Sequence, residues 1–163
     1  FEADECGSLN EWLAVAPHAL PLCSKVAALV SVNDVADRAA HALADGAELS
    51  LGRRSVKWLD APHLPQGWET GFLMDTRTRT LFCGDLFTQG GTGTLALTGA
   101  DILENSEAFR QPMDYFSHST NTGTLIEKLA AEAPTTLACM HGSAWSGDGA
   151  ALLRALGDRL VGS

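Results

Sequence analysis

The chain opens with the stretch Phe1-Glu2-Ala3-Asp4-Glu5-Cys6-Gly7-Ser8, which carries three carboxylates within four residues. In an extended segment Glu2 and Asp4 point to the same side, and a turn after Asp4 would bring Glu5 toward the same point. Carboxylates held this close repel one another unless protons or cations intervene. Their oxygens suit hard or borderline divalent metals. The stretch therefore predicts either a metal-binding loop or a solvated acidic tip at a helix start, where the helix dipole favours negative charge.

The residues that follow predict a helix directly after the acidic stretch. Ser8 and Glu11 have the spacing of a capping box, and apolar residues come next. Pro17 helps to end the helix that we expect over Ser8–Ala16.

The composition is that of a globular protein with an excess of acid. Of 163 residues, 11 are Lys or Arg and 20 are Asp or Glu, so the formal net charge is −9. This charge argues against nucleic acid or an anionic membrane as a partner, and no apolar run is long enough to span a bilayer. We expect a single domain over 1–163. Because the chain starts at Phe1 without Met, we interpret it as a fragment or a processed chain.

The four cysteines are Cys6, Cys23, Cys83 and Cys139, and no two form a C-x-x-C pair. A thiolate zinc knuckle or a redox pair is therefore not expected. Cys83 and Cys139 lie in apolar runs, which is typical of buried small hydrophobes. We expect a reducing compartment, the cytoplasm.

Apolar periodicity and turn residues predict alternating helices and strands. We expect helices over Ser8–Ala16, Ser24–Leu29, Asn33–Leu43, Ala100–Phe116, Thr122–Ala133 and Gly147–Val161. We expect strands over Ala19–Cys23, Glu48–Leu51, Ser55–Asp60, Thr70–Asp75, Thr80–Cys83 and Thr136–Met140. The glycine-rich Gln89–Thr94 lacks the Lys-Ser/Thr ending of a phosphate loop and is predicted to be a connector.

Three polar residues, His63, Asp85 and His141, each stand just after a predicted strand and beside Gly or Pro. Strand ends are where sites usually lie in layered α/β folds. A single such histidine is more often a hydrogen-bonded structural residue, and an aspartate after glycine is often a turn former. With Glu2, Asp4 and Glu5, however, the set predicts a metal site.

This set resembles the metal-binding pattern of the metallo-β-lactamase superfamily. It is most similar to the di-iron domain of flavodiiron proteins and of stand-alone oxygen-binding di-iron proteins, whose site opens with His-x-Glu-x-Asp. Glu2-Ala3-Asp4 matches the Glu-x-Asp part, and the first histidine would precede Phe1. The later matches, in the family's order, are His63 in Ala-Pro-His-Leu-Pro, Asp85 in Cys-Gly-Asp-Leu-Phe and His141 in Met-His-Gly-Ser.

The resemblance implies an α/β (α+β) fold, a four-layer αββα sandwich whose first strands this chain lacks. The chain would be the C-terminal part, roughly two-thirds, of the full fold. A missing N-terminal segment or a second chain would complete it. The implied metal ligands are Glu2, Asp4, Glu5, His63, Asp85 and His141. Glu2 and His63 would hold one metal, Asp4 and His141 the other, and Asp85 would bridge. Glu5 stands where many members have a histidine, and it is a ligand, a hydrogen-bond acceptor beside one, or merely a neighbour.

The implied function is to bind or reduce dioxygen or nitric oxide at two divalent transition metals. Oxygen-rich ligands favour iron, with manganese or zinc as alternatives. The rival functions are hydrolysis of an ester, thioester or lactam by a metal-generated hydroxide, and dioxygen sensing without turnover. No flavin site is expected in this chain. Expected partners are a small-molecule ligand, an electron donor or signalling protein, and a second copy in a homodimer.

Two residues outside the ligand set are candidates for the same pocket. His118 lies near Tyr115 and Phe116 on a connector and is expected either to approach the pocket or to be structural. Trp145, which follows His141, is expected to form a pocket wall.

Overall fold

The computed structural model describes residues 2–91 and 95–161. The strands, in chain order, are β1 Leu22–Ser24, β2 His41–Leu43, β3 Glu48–Ser50, β4 Ser55–Asp60, β5 Gly71–Asp75, β6 Thr80–Phe82, β7 Leu97–Thr98, β8 Thr136–Ala138 and β9 Ala144–Ser146. The helices are α1 Ala3–Cys6, α2 Leu9–Val15, α3 Lys25–Ala27, α4 Asn33–Val35, α5 Leu103–Met113, α6 Thr122–Ala131 and α7 Gly149–Val161, with a π-helical turn over Ala28–Val32 between α3 and α4.

A mixed, seven-stranded sheet organises the chain, with the strand order β3-β4-β5-β6-β8-β9-β7. Strands β3 to β6 form an antiparallel meander, whereas β8 runs parallel to β6 and pairs Ala138 with Phe82. The β5–β6 hairpin is closed by Asp75, whose carboxylate accepts the backbone N–H groups of Arg77 and Thr78. This side chain therefore replaces backbone partners that the turn cannot supply.

The core lies between this sheet and the helices α5, α6 and α7. Strand alternation places Phe72 and Met74 of β5 in it, together with Leu137 of β8. Leu129 of α6 and Leu153 of α7 meet these side chains and are fully buried. The predicted helices Thr122–Ala133 and Gly147–Val161 are thus confirmed with slightly shorter bounds.

A second, two-stranded sheet pairs β1 and β2 in parallel and stands apart from the main one. Large apolar side chains are exposed around it. They are Trp12, Val15, Leu20, Leu22, Leu29, Val30 and Val35. Several exposed large apolar side chains near one small sheet are typical of a surface that another segment or chain covers.

The predicted helix over Asn33–Leu43 is wrong beyond Val35. The side chain of Asn10 donates to the C=O of Val35 and accepts the N–H of Asp37, which ends the helix. Residues 41–43 then become strand β2 by pairing with β1. Contacts distant in sequence therefore override the local helical periodicity.

The acidic opening is also not extended, because residues 3–6 form one helical turn with Glu2 in the extended position before it. Helix α2 does begin after Ser8, but the Ser8 side chain makes no capping hydrogen bond. The short strands β7 and β9 were not predicted, and part of the connector Gln89–Thr94 lies outside the described residues. None of the described helices has both the length and the apolar content needed to cross a bilayer.

Candidate metal centre

Two loops that leave the sheet at the same edge bring Asp85 and His141 together. Strands β6 and β8 are parallel neighbours, so the chain emerges from both at the same end. The N–H of Met140 donates to the C=O of Gly84 at 2.9 Å, which holds the two loops side by side. As a result, the Nε2 atom of His141 lies 3.5 Å from Oδ1 of Asp85.

The carboxylate of Asp85 holds a buried oxygen without a hydrogen bond. Among the described residues, Oδ1 of Asp85 is the buried side-chain atom that lacks a hydrogen-bond partner. The His141 ring is close enough for an ionic contact, but the 3.5 Å separation does not make a hydrogen bond. Leaving such an oxygen unpaired costs about 1–3 kcal/mol, more for a charged group. A cation at this position would remove the penalty.

The helical turn α1 supplies further carboxylates to the same place. The Oδ2 atom of Asp4 lies 3.2 Å from Nε2 of His141, so this imidazole stands between two acids. Burial raises the pKa of Glu5, and the negative charges of the neighbouring Asp85, Glu2 and Asp4 raise it further. The acids therefore repel one another, which is the condition that bound cations relieve.

The loop that carries His63 faces this turn. The side-chain amide of Gln66 donates to the carboxylate of Glu2 and so ties the loop to the acidic opening. His63 itself is exposed and has a left-handed backbone with φ of 68°. Its C=O accepts the hydroxyl of Ser117, and its N–H donates to the C=O of Gly67 at 2.7 Å. These contacts hold the backbone of His63 in a conformation that is uncommon for a residue other than glycine.

A cavity of about 460 Å³ lies beside Asp85, between the acidic opening and the loop that follows His63. Its acidic wall contains Glu2, Glu5 and Asp85, and its apolar wall contains Trp58 and Phe72. It therefore offers carboxylates beside an apolar surface.

Two of the predicted pocket residues lie elsewhere. His118 pairs with Asp114 at 2.6 Å and lines a separate cavity of about 240 Å³ beside α5 and α6. Trp145 lies on β9, where its indole N–H donates to the C=O of Ala100. Neither is among the described residues that line the acidic cavity, and Asp4, His63 and His141 are not among them either. The pocket roles expected of His118 and Trp145 therefore stay predictions.

Two residues that the sequence did not point to, Tyr115 and Gln89, hold the backbone near the candidate ligands. The hydroxyl of Tyr115 donates to the C=O of Asp85 at 3.0 Å, and burial raises the pKa of this phenol to about 12. The side chain of Gln89 is buried and bonds the backbone of Ser143 from both its amide atoms. The sequence signal for Gln89 was its position between the Asp85 loop and the glycine-rich connector. No sequence signal pointed to Tyr115.

The structure thus brings together Asp4, Asp85 and His141, and Glu5 lines the cavity beside Asp85, but the complete set does not converge. Within residues 2–91 and 95–161, no group of three or more His, Cys, Asp or Glu side chains adopts a geometry that could hold a metal ion. Glu2 instead accepts a hydrogen bond from the Gln66 amide, and His63 is exposed. The donor chemistry nevertheless fits metal ions, because the carboxylates of Asp4 and Asp85 and the imidazole of His141 lie together at an unpaired buried oxygen.

Comparison with known proteins gives structural matches alone. No family model matches the sequence, and no curated protein does. The chemotaxis sensor ODP, in a structure of its peroxy diiron species, superimposes with a TM-score of 0.76 at 18% identity, over 100% of this chain and 68% of that chain. The rubredoxin oxygen:oxidoreductase of Desulfovibrio gigas gives 0.72 at 17% identity, over 96% of this chain and 41% of that one.

A metal-soaked flavodiiron core from Synechocystis also matches, with a TM-score of 0.73 at 21% identity, over 99% of this chain and 41% of that chain. The fold is therefore metallo-β-lactamase-like, as the sequence predicted. In particular it is the fold of the core shared by flavodiiron proteins and the di-iron sensor. The chain spans about two-thirds of the sensor and less than half of the flavodiiron chains.

Proposed function

We propose that this chain carries most of the metal site of a non-haem di-iron protein that binds dioxygen. The observation that carries the proposal is the buried, unpaired Oδ1 of Asp85, placed between the acidic turn and the His141 loop. Asp4 and His141 would hold one ion and Glu2 with His63 the other. Asp85 would lie between the ions, and Glu5 beside them.

The donor set supports iron over zinc. The candidate ligands comprise more carboxylates than imidazoles, and oxygen donors suit iron and manganese, whereas imidazole and thiolate suit zinc. When bound, two iron ions would supply an open coordination position and the electrons that dioxygen chemistry needs. Hydrolysis remains the rival function, and nothing in the cavity specifically favours it.

The chain's own residues prepare this site before any ion binds. Tyr115 holds the backbone of Asp85, and the Gly84–Met140 hydrogen bond sets the spacing of the two loops. The apolar side chains of Trp58 and Phe72 line the cavity beside the carboxylates of Glu5 and Asp85. Apolar surroundings lower the local dielectric constant and so strengthen electrostatic interactions.

The structural neighbours suggest two functions for such a site. One neighbour is a chemotaxis sensor and another an oxygen oxidoreductase. Either function would require a partner, a signalling protein or an electron donor, and a homodimer is part of the same proposal. The exposed apolar residues around β1 and β2 are where the remainder of the fold would pack.

The test is metal analysis of the full-length protein purified without oxygen and loaded with Fe(II). We expect two irons per chain and a visible absorption change on mixing with dioxygen. Asp85→Ala should lose at least one iron, while Asp158→Ala, at an exposed aspartate of α7, should lose none. Zinc as the retained metal, with no response to dioxygen, would overturn the proposal.

A further inference from the structure

Two thiols face each other directly beneath the candidate metal centre. Cys83 and Cys139 follow the paired residues Phe82 and Ala138 of the parallel strands β6 and β8. The N–H of Cys83 donates to the C=O of Ala138 at 3.1 Å, so the two cysteines stay in register beyond the strand ends. Their sulfur atoms are 3.9 Å apart although 56 positions separate them in sequence.

We propose that Cys83 and Cys139 are an oxidative modification site that forms a reversible disulfide when a hydroperoxide reaches it. Neighbouring strands lie about 4.7–4.9 Å apart, which is inside the range of Cα separations, about 4.4–6.8 Å, that a disulfide spans. Side-chain rotation can bring the sulfur atoms from 3.9 Å to the bonded distance of about 2.05 Å. No strand has to move to a new register.

The remaining two cysteines have no such arrangement. All four are free thiols, but the Cys6 sulfur donates to the backbone C=O of Glu2, and Cys23 lines the acidic cavity. Among the described residues, the structure records a sulfur–sulfur contact for Cys83 with Cys139. The chain therefore contains its own pair of comparison thiols.

Cys83 and Cys139 differ in exposure, and this difference sets the order in which they react. Cys139 is partly exposed whereas Cys83 is fully buried, so the sulfur of Cys139 meets the oxidant first. It attacks the terminal oxygen of the hydroperoxide, the O–O bond breaks, an alcohol or water leaves, and Cys139 becomes a sulfenic acid. The sulfur of Cys83 then attacks that of Cys139, the S–S bond forms, the S–O bond breaks and water leaves. Two thiols have lost two electrons and two protons, and the hydroperoxide has gained them.

The disulfide would affect the candidate metal centre because each cysteine lies close in sequence to a candidate ligand. Asp85 lies two residues after Cys83, and His141 lies two residues after Cys139. A disulfide would fix the two strand ends relative to each other immediately before these side chains and so alter the 3.5 Å separation between Asp85 and His141. This effect on metal binding rests on the proposed function, whereas the disulfide itself does not.

The experiment treats the full-length, metal-free protein with hydrogen peroxide and then maps the thiols by alkylation and peptide mass analysis. We expect two of the four thiols to disappear, with Cys83 joined to Cys139, and dithiothreitol to restore them. The double variant Cys6→Ser/Cys23→Ser keeps the pair intact and should still form the bond. Cys83→Ser and Cys139→Ser should each abolish it.

Two outcomes would overturn the inference: a disulfide at any other pair, or oxidation of Cys139 to a sulfinic acid with Cys83 still reduced. Because metal-free protein is used, a wrong metal assignment cannot produce either result. The effect of the disulfide on metal binding is tested separately, by measuring Fe(II) binding to the oxidised and the reduced protein. Equal affinities would show that the disulfide does not affect metal binding, and the disulfide itself would still stand.

Discussion

Gln89 and His141 are joined through their backbones: the N–H of Gln89 donates to the C=O of His141 at 3.1 Å. The side-chain amide of Gln89 extends this link, because its Nε2 donates to the C=O of Ser143 at 3.2 Å and its Oε1 accepts the Ser143 N–H at 3.3 Å. Nε2 also donates to the C=O of Phe87. One buried amide therefore fastens the loop that follows Asp85 to the loop that presents His141.

The first prediction is that Gln89 positions His141. Gln89→Leu should weaken Fe(II) binding by about 10–100-fold, the usual effect of losing a group that orients a metal ligand. Gln89→Glu keeps the acceptor for Ser143 and should have a smaller effect. The measurement is an anaerobic Fe(II) titration, with Gln111→Leu at an exposed position of α5 as the control. A loss of stability in Gln89→Leu without any change in affinity would contradict the prediction.

The second prediction concerns the unpaired oxygen of Asp85. In the metal-free protein, Asp85→Asn should leave the free energy of unfolding unchanged or raise it, because a neutral amide of the same size replaces a carboxylate whose buried Oδ1 has no hydrogen bond. The same variant should lose bound metal. Urea unfolding with and without Fe(II) measures both effects, and Asp158→Asn serves as the exposed control. A clearly less stable metal-free variant would show that Asp85 has a structural role instead.

The third prediction uses the left-handed backbone of His63. With φ of 68°, a non-glycine residue there is strained by about 1–2 kcal/mol. His63→Gly should relieve this strain, offset in part by the greater freedom of glycine in the unfolded chain, and should lower metal content. Ala133, with φ of 49°, offers the matched variant Ala133→Gly, which should leave metal content unaltered. Equal metal content in the two variants would remove His63 from the ligand set.

The fourth prediction compares two ion pairs with similar geometry. Arg110 and Glu107 share two hydrogen bonds of 2.8 Å, with side chains only 8% and 3% exposed. Glu107→Ala leaves a buried cation and should cost about 3–5 kcal/mol of unfolding free energy. Arg154 and Glu127 make the same paired contact on the surface, and Glu127→Ala should cost far less. Chemical denaturation of both variants measures the two losses of unfolding free energy. Equal losses would show that burial of the ion pair is not the cause.

The fifth prediction is an acid sensitivity at Asp75. Hydrogen bonds from the backbone of Thr78, then from Arg54 and the backbone of Arg77, lower the pKa of this carboxyl. A carboxyl with a lowered folded pKa adds stability above its unfolded pKa of about 3.9 and loses it as the pH falls through the folded value. Asp75→Asn should therefore destabilise the protein near neutral pH and much less in acid below the ordinary aspartate pKa. Denaturation midpoints across this range provide the measurement, and a difference independent of pH would count against it.

The sequence by itself predicted much of the architecture and a set of candidate site residues. Apolar periodicity predicted α6 and α7, and the strands expected over Thr70–Asp75 and Thr80–Cys83 correspond to the β5–β6 hairpin. Glycine or proline beside a polar residue marked Asp85, His63 and His141 at strand ends. These features are readable because they depend on neighbours within a few residues. The motif blocks also led to the fold that the structural comparison supports.

The tertiary structure alone decided which local preferences prevail and which side chains meet. Asn10 ends a helix that periodicity would continue to Leu43, and parallel pairing of β6 with β8 brings Cys83 to Cys139. It also pairs His118 with Asp114 and joins the Trp145 indole to the C=O of Ala100, contacts that their sequence positions did not reveal. The physical reason is the same in each case: hydrogen bonds and burial between segments far apart in sequence outweigh propensities of a few tenths of a kcal/mol per residue.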